Sequence, residues 1–129
     1  MTGESLGTDA INDYATIKYD TNGNELWVAR YNGPGKNEDR ARSLTLDPSG
    51  NVYVTGWSMG IGTDYDYATI KYDTNGNQLW VIRYDGPANG ADWAFSPVVD
   101  SSGNVYVAGR SDGIGTDRDY ATIKYKKEF

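Results

Sequence analysis

One segment, Tyr-Ala-Thr-Ile-Lys-Tyr, begins at Tyr14, again at Tyr67 and again at Tyr120, so the chain repeats itself every 53 residues without a gap. Residues 2–54 laid on residues 55–107 agree at about 33 of 53 positions, and residues 108–129 open a third, partial copy. A repeat of this length restricts the fold more than any other feature of the chain. Each copy has to be one supersecondary unit that cannot bury its apolar surface alone and must stack on its neighbours. Residues 1–129 therefore read as a single repeat domain.

Within one period the sequence predicts four short strands: residues 41–47 (ARSLTLD), 52–57 (VYVTGW), 67–73 (YATIKYD) and 79–84 (LWVIRY). Val, Ile, Thr, Tyr and Trp fill them, and Gly, Asn and Asp bound them, which is strand chemistry. The alternation is weak. Ala15, Ile17 and Tyr19 face one way and Tyr14, Thr16 and Lys18 the other, so neither side is plainly a solvent side. Strands packed on both faces have this character. No segment carries a sustained helical period. Four strands in about 50 residues is the pattern of a β-propeller blade. The predicted fold is all-β, a propeller fragment of about two and a half four-stranded blades.

The run Asp47-Pro48-Ser49-Gly50-Asn51-Val52-Tyr53-Val54-Thr55-Gly56, followed by Asp66-Tyr67-Ala68-Thr69-Ile70-Lys71-Tyr72, resembles the bacterial and archaeal β-propeller repeat called SBBP. The resemblance implies a propeller and, since such repeats occur in large secreted or surface proteins of unassigned activity, an extracellular or cell-surface location. Met1 to Leu6 has neither a basic start nor an apolar stretch, so no signal peptide is expected here.

With strands lettered A to D from the propeller axis outward, the chain reads as the tail of B, then C and D; a full A, B, C and D; then A, B and C. Closure needs roughly 4 to 8 blades. Completion between subunits is the expectation: strand D of one copy finishes the blade of another, each chain contributes two blades, and three or four chains close a ring. A junction that fails to close gives a head-to-tail filament. The segments 11–20 and 120–129 are expected to carry this assembly, through Tyr14, Ile17, Tyr19, Tyr120, Ile123 and Tyr125. The altered ending Lys126-Lys127-Glu128-Phe129, where the other copies read Asp-Thr-Asn-Gly, is expected to mark a real terminus, the alternative being a fragment of a longer propeller.

Composition closes off most other functions. The chain has no Cys and no His, which removes disulfides, thiolate nucleophiles, Ser-His and Cys-His catalysis and the commonest transition-metal ligand. Twelve Lys and Arg stand against 18 Asp and Glu, a net charge of -6, so nucleic acid is an unfavoured partner. No apolar run approaches the roughly 18 residues of a membrane span. No cofactor and no catalysis are expected.

Asp-x-x-Gly-Asn occurs at residues 20–24, 47–51, 73–77 and 100–104. It lacks the later ligands of a calcium loop and reads as a tight turn, with Asp accepting backbone N–H groups and Gly supplying positive φ. These turns lie on one face of the disc. The B–C and D–A loops lie on the other, where Asp64, Asp66, Asp117 and Asp119 are weak candidates for a hard cation, read first as solvated acidic loops. Corresponding positions differ there: Glu4, Trp57 and Arg110 share one, and Arg40 and Trp93 another. Trp57 and Trp93, with Tyr65, are candidates for an aromatic platform under a sugar ring, rimmed by Glu4 and Arg110. The alternative partner to a second copy of the chain is therefore a glycan.

Overall fold

The computed structural model describes residues 1–9 and 11–126. Its ten strands are β1 (Thr2–Leu6), β2 (Asn12–Tyr19), β3 (Glu25–Tyr31), β4 (Asp39–Leu46), β5 (Val52–Met59), β6 (Tyr65–Tyr72), β7 (Gln78–Tyr84), β8 (Asp92–Val99), β9 (Val105–Ser111) and β10 (Asp119–Tyr125). All pairing is antiparallel, in three sheets: β1-β2-β3, β4-β5-β6-β7 and β8-β9-β10. No helix occurs among the described residues. The chain is an all-β propeller fragment in which one complete blade stands between two three-stranded ones, in the strand order expected. Three strands of the complete blade, β4, β5 and β6, run two residues further toward the B–C and D–A loops than predicted, where Tyr65 and Asp66 pair with Met59 and Ser58.

The four Asp turns form as expected. In each, one Asp oxygen accepts the backbone N–H groups two and four residues on, and the other accepts the Asn side-chain amide. For Asp73 these distances are 2.8 Å from Asn75, 2.9 Å from Asn77 and 2.9 Å from the Asn77 Nδ2. Gly23, Gly50, Gly76 and Gly103 sit at φ of 84–85°, a conformation costly for any residue with a Cβ. All four segments are thus Asp-anchored turns.

The weak alternation has its reason in the middle blade, which is buried on both faces. On one side Val52, Val54, Ala68, Ile70 and Tyr72 pack against Tyr14, Ala29, Trp27 and Tyr31 of the first sheet. On the other, Tyr53 and Tyr67 with Trp80 and Tyr84 pack against Ala94, Val105, Val107, Ile123 and Tyr125 of the last. The outer faces of the end sheets are open: Tyr19 and Val28 are 44% and 45% exposed, and Tyr120 is 98% exposed.

Strand β2, within the segment 11–20, is paired on both sides, to β1 and β3. The end sheets have three strands each, as the expected partial blades. Residues 127–129, and with them most of the altered ending, lie outside the described residues.

Candidate functional site

The junction between sheets is one contact made twice. Tyr14 Oη donates to the Ala68 carbonyl at 3.1 Å, and Tyr67 Oη donates to the Ala121 carbonyl at 3.0 Å, each spanning 54 residues. Both tyrosines are fully buried, and burial raises both phenol pKa values well above the ordinary one. The Ala68 carbonyl also takes the Thr55 hydroxyl at 3.3 Å. Its counterpart, Ala15, takes the Thr2 hydroxyl at 3.2 Å, and no tyrosine hydroxyl among the described residues reaches it. Tyr120, the third copy of Tyr14, stands in solvent.

The six residues expected in assembly therefore divide. Tyr14, Ile123 and Tyr125 face the two junctions inside the chain. Ile17 and Tyr19 belong to the first sheet's open side, and Tyr120 to the last sheet's open side.

Trp57, Trp93, Glu4 and Arg110 form a row across strands A and B of the three sheets. Trp57 and Trp93 have ring centroids 5.8 Å apart, and Phe95 meets Trp57 edge-on at 6.4 Å. The Arg110 guanidinium lies 3.6 Å over Trp93, its cross-strand partner. A sugar stacking on that face of Trp93 would have to displace it. Glu4 pairs with Arg40 at 3.1 Å, and Arg40 also binds Glu38, which accepts the Tyr65 hydroxyl at 3.0 Å. Tyr65 thus belongs to the Glu38–Arg40–Glu4 network, apart from the indoles. The Glu4–Arg40 pair could not be read from the sequence because it joins the first sheet to the second, and Glu38, its second partner, was not singled out.

Two clefts open between sheets at the turn face, about 330 Å³ beside Tyr53, Lys71, Trp80 and Tyr125 and about 350 Å³ beside Trp27, Leu44 and Gly50. Neither is lined by the Trp57–Trp93 row.

At the loop face the acidic candidates separate. Asp64 is exposed and caps its neighbour Tyr65; Asp117 is exposed; Asp119 is exposed and accepts the Thr116 hydroxyl at 2.8 Å. Asp66 is buried at 4% exposure and stands with Asp85 and Asp92, one carboxylate oxygen of each lying within 4.8 Å of the others. Arg83 Nη2 binds Asp66 Oδ2 at 2.9 Å. Arg83 also donates to the Tyr31 hydroxyl at 3.0 Å and to Ser58 Oγ at 2.7 Å, tying the first sheet to the second. Asp85 and Asp92 were missed because a sequence motif does not show that a D–A loop folds back onto the end of strand C.

Residues 26–66 match the family model described as SBBP, beta-propeller repeat. An uncharacterized WD repeat-containing protein of Acanthamoeba polyphaga mimivirus is 26% identical over 119 residues, which cover 79% of this chain and 8% of that protein. The chain thus matches less than a tenth of the length of this curated relative.

Proposed function

We infer that this chain, which carries an SBBP-type β-propeller repeat, is a non-enzymatic interaction module that binds a second copy of itself face to face. One observation carries the reading. Tyr14 and Tyr67 are fully buried on the alanine carbonyl one repeat further on, whereas Tyr120 is 98% exposed. The Ala15 carbonyl on the opposite end has the same setting as Ala68 and lacks the tyrosine. Docking the last sheet of one copy on the first sheet of the next brings Tyr120 to Ala15 in the register of the two internal junctions.

In face-to-face docking each of the three sheets of a chain counts as one blade of the ring. Two copies supply six sheets, within the roughly 4 to 8 of closed propellers, and a rotation that does not close gives a filament. An extracellular or cell-surface setting follows from the resemblance to secreted repeat proteins.

Light scattering on the eluting protein, with negative-stain images, tests this. A particle of two chain masses, or fibres, is the expected result, with Tyr120→Ala shifting the population to single chains. A wild-type monomer, or an assembly unchanged in Tyr120→Ala, would overturn the reading and leave the open faces to another polypeptide.

A further inference from the structure

The carboxylates at the second junction go beyond self-association. Asp66 enters from the start of β6, Asp85 follows β7 and Asp92 opens β8, so the three converge from strand C, the D–A loop and strand A. Asp92 is fully buried; its Oδ2 accepts the Gly86 N–H at 2.6 Å, and its Oδ1 accepts the Ser111 hydroxyl. Asp66 Oδ2 accepts Arg83 and the Thr63 hydroxyl, at 2.9 and 3.0 Å. Asp66 Oδ1 is buried and makes no hydrogen bond. Asp85 is exposed and connects the group to solvent.

A buried carboxylate oxygen without a donor, beside two further carboxylates, is costly unless a proton or a cation joins it. Arg83 is the cation paired with the group among the described residues, so three negative charges meet one positive. Three carboxylates facing one guanidinium leave the group short of positive charge.

We propose that Asp66, Asp85 and Asp92 hold a calcium-class divalent cation at the loop face of the second junction. The three oxygens lie within 4.8 Å of one another, close enough to be shared by one Ca²⁺ with ligands at about 2.3–2.6 Å. An all-carboxylate set held by three separate segments suits the flexible oxygen coordination of Ca²⁺ better than the strict octahedron of Mg²⁺. The first junction provides an internal comparison, because the corresponding residues there are Asp13, Asn32 and Asp39. Asn32 in place of Asp85 removes one anionic ligand, so that position binds more weakly.

The probe is CaCl2 added to chelator-stripped full-length chain, followed by calorimetric titration and thermal unfolding, with MgCl2 in parallel. One Ca²⁺ per chain and a rise in Tm are expected. Both should be lost in Asp85→Asn, an exposed position where folding is preserved, and kept in Asp64→Asn. Tb³⁺ luminescence excited through the aromatic residues of the chain should follow the same pattern. Absence of heat and of a Tm shift at about 5 mM Ca²⁺, above the 10⁻⁴–10⁻³ M range of weak extracellular sites, would overturn the site. So would an undiminished response in Asp85→Asn, or an equal response to Mg²⁺. The Ca²⁺ stoichiometry per chain and the Tb³⁺ signal do not depend on the oligomeric state, and the Tm shift is read at one fixed chain concentration, so the site and the self-association stand or fall separately.

Discussion

The hydroxyl of Tyr67 donates to the carbonyl of Ala121 across 3.0 Å, the same bond Tyr14 makes to Ala68 one repeat earlier. Tyr67→Phe removes one such bond and leaves a partly buried acceptor short of a donor. The expected loss is about 1 kcal/mol, the usual net value of an internal hydrogen bond. Tyr120→Phe should leave the unfolding of the single chain unchanged while weakening its association. Urea unfolding of the two variants, read beside their native masses, checks both halves.

Gly76 and Gly23 separate backbone strain from junction packing. Both have positive φ, at 84° and 85°. A Cβ on Gly76 would meet the Trp27 ring at 2.7 Å, whereas a Cβ on Gly23 would meet nothing within 4 Å. Gly23→Ala should therefore cost only the left-handed conformation, roughly 1–2 kcal/mol. Gly76→Ala should add roughly 1–3 kcal/mol for displacing the indole. Equal costs in urea unfolding would mean that Trp27 does not seat on this turn.

Arg83 and Arg30 occupy the same position in successive repeats with different consequences. The side chain of Arg83 is 21% exposed, against 45% for Arg30, which reaches Asp13 only at 3.9 Å. Arg83→Met should cost roughly 3 kcal/mol, the low end for breaking a buried pair. Arg30→Met should cost less than about 1 kcal/mol, as for surface pairs. The two unfolding midpoints decide it.

Acid should act in two opposite senses. Hydrogen bonds from Asn24, Asn77 and Asn104 hold Asp20, Asp73 and Asp100 below the ordinary carboxylate pKa. Their contribution is present above that ordinary value and is lost as pH falls through their folded pKa values. Burial holds Asp39, Asp85 and Asp92 above it. Their contribution is complete below the ordinary value and is lost as pH rises through the folded ones. In chelator, Tm should climb as the pH falls from neutrality toward the ordinary carboxylate range, then drop below it. Asp85→Asn should flatten the climb, and a Tm that falls steadily from pH 7 would contradict the assignment.

Much of the fold was legible because its signals are local and repeated. Four Asp-x-x-Gly-Asn turns fix where strands reverse, and the 53-residue period fixes how many strands recur. The partner of Tyr14 was less accessible, since nothing in the sequence says which carbonyl one repeat away it will meet. The same holds for the acidic group. Asp66 was noticed with Asp64, Asp117 and Asp119 because they cluster in sequence, but the fold sends Asp64 outward and brings Asp85 and Asp92 in from another loop. The contrast between Asn32 and Asp85 at one repeat position was the available signal. Trp57 and Trp93 do meet, yet the cover that Arg110 places on Trp93 follows from cross-strand register.

Because the Tyr14 and Tyr67 contacts reach 54 residues ahead and no further, each junction is defined by its two adjacent repeats alone. An in-frame duplication or deletion of 53 residues would leave the pattern of every remaining sheet-to-sheet contact intact. Adding a repeat would therefore extend the reach of the array while the junction chemistry stays constant.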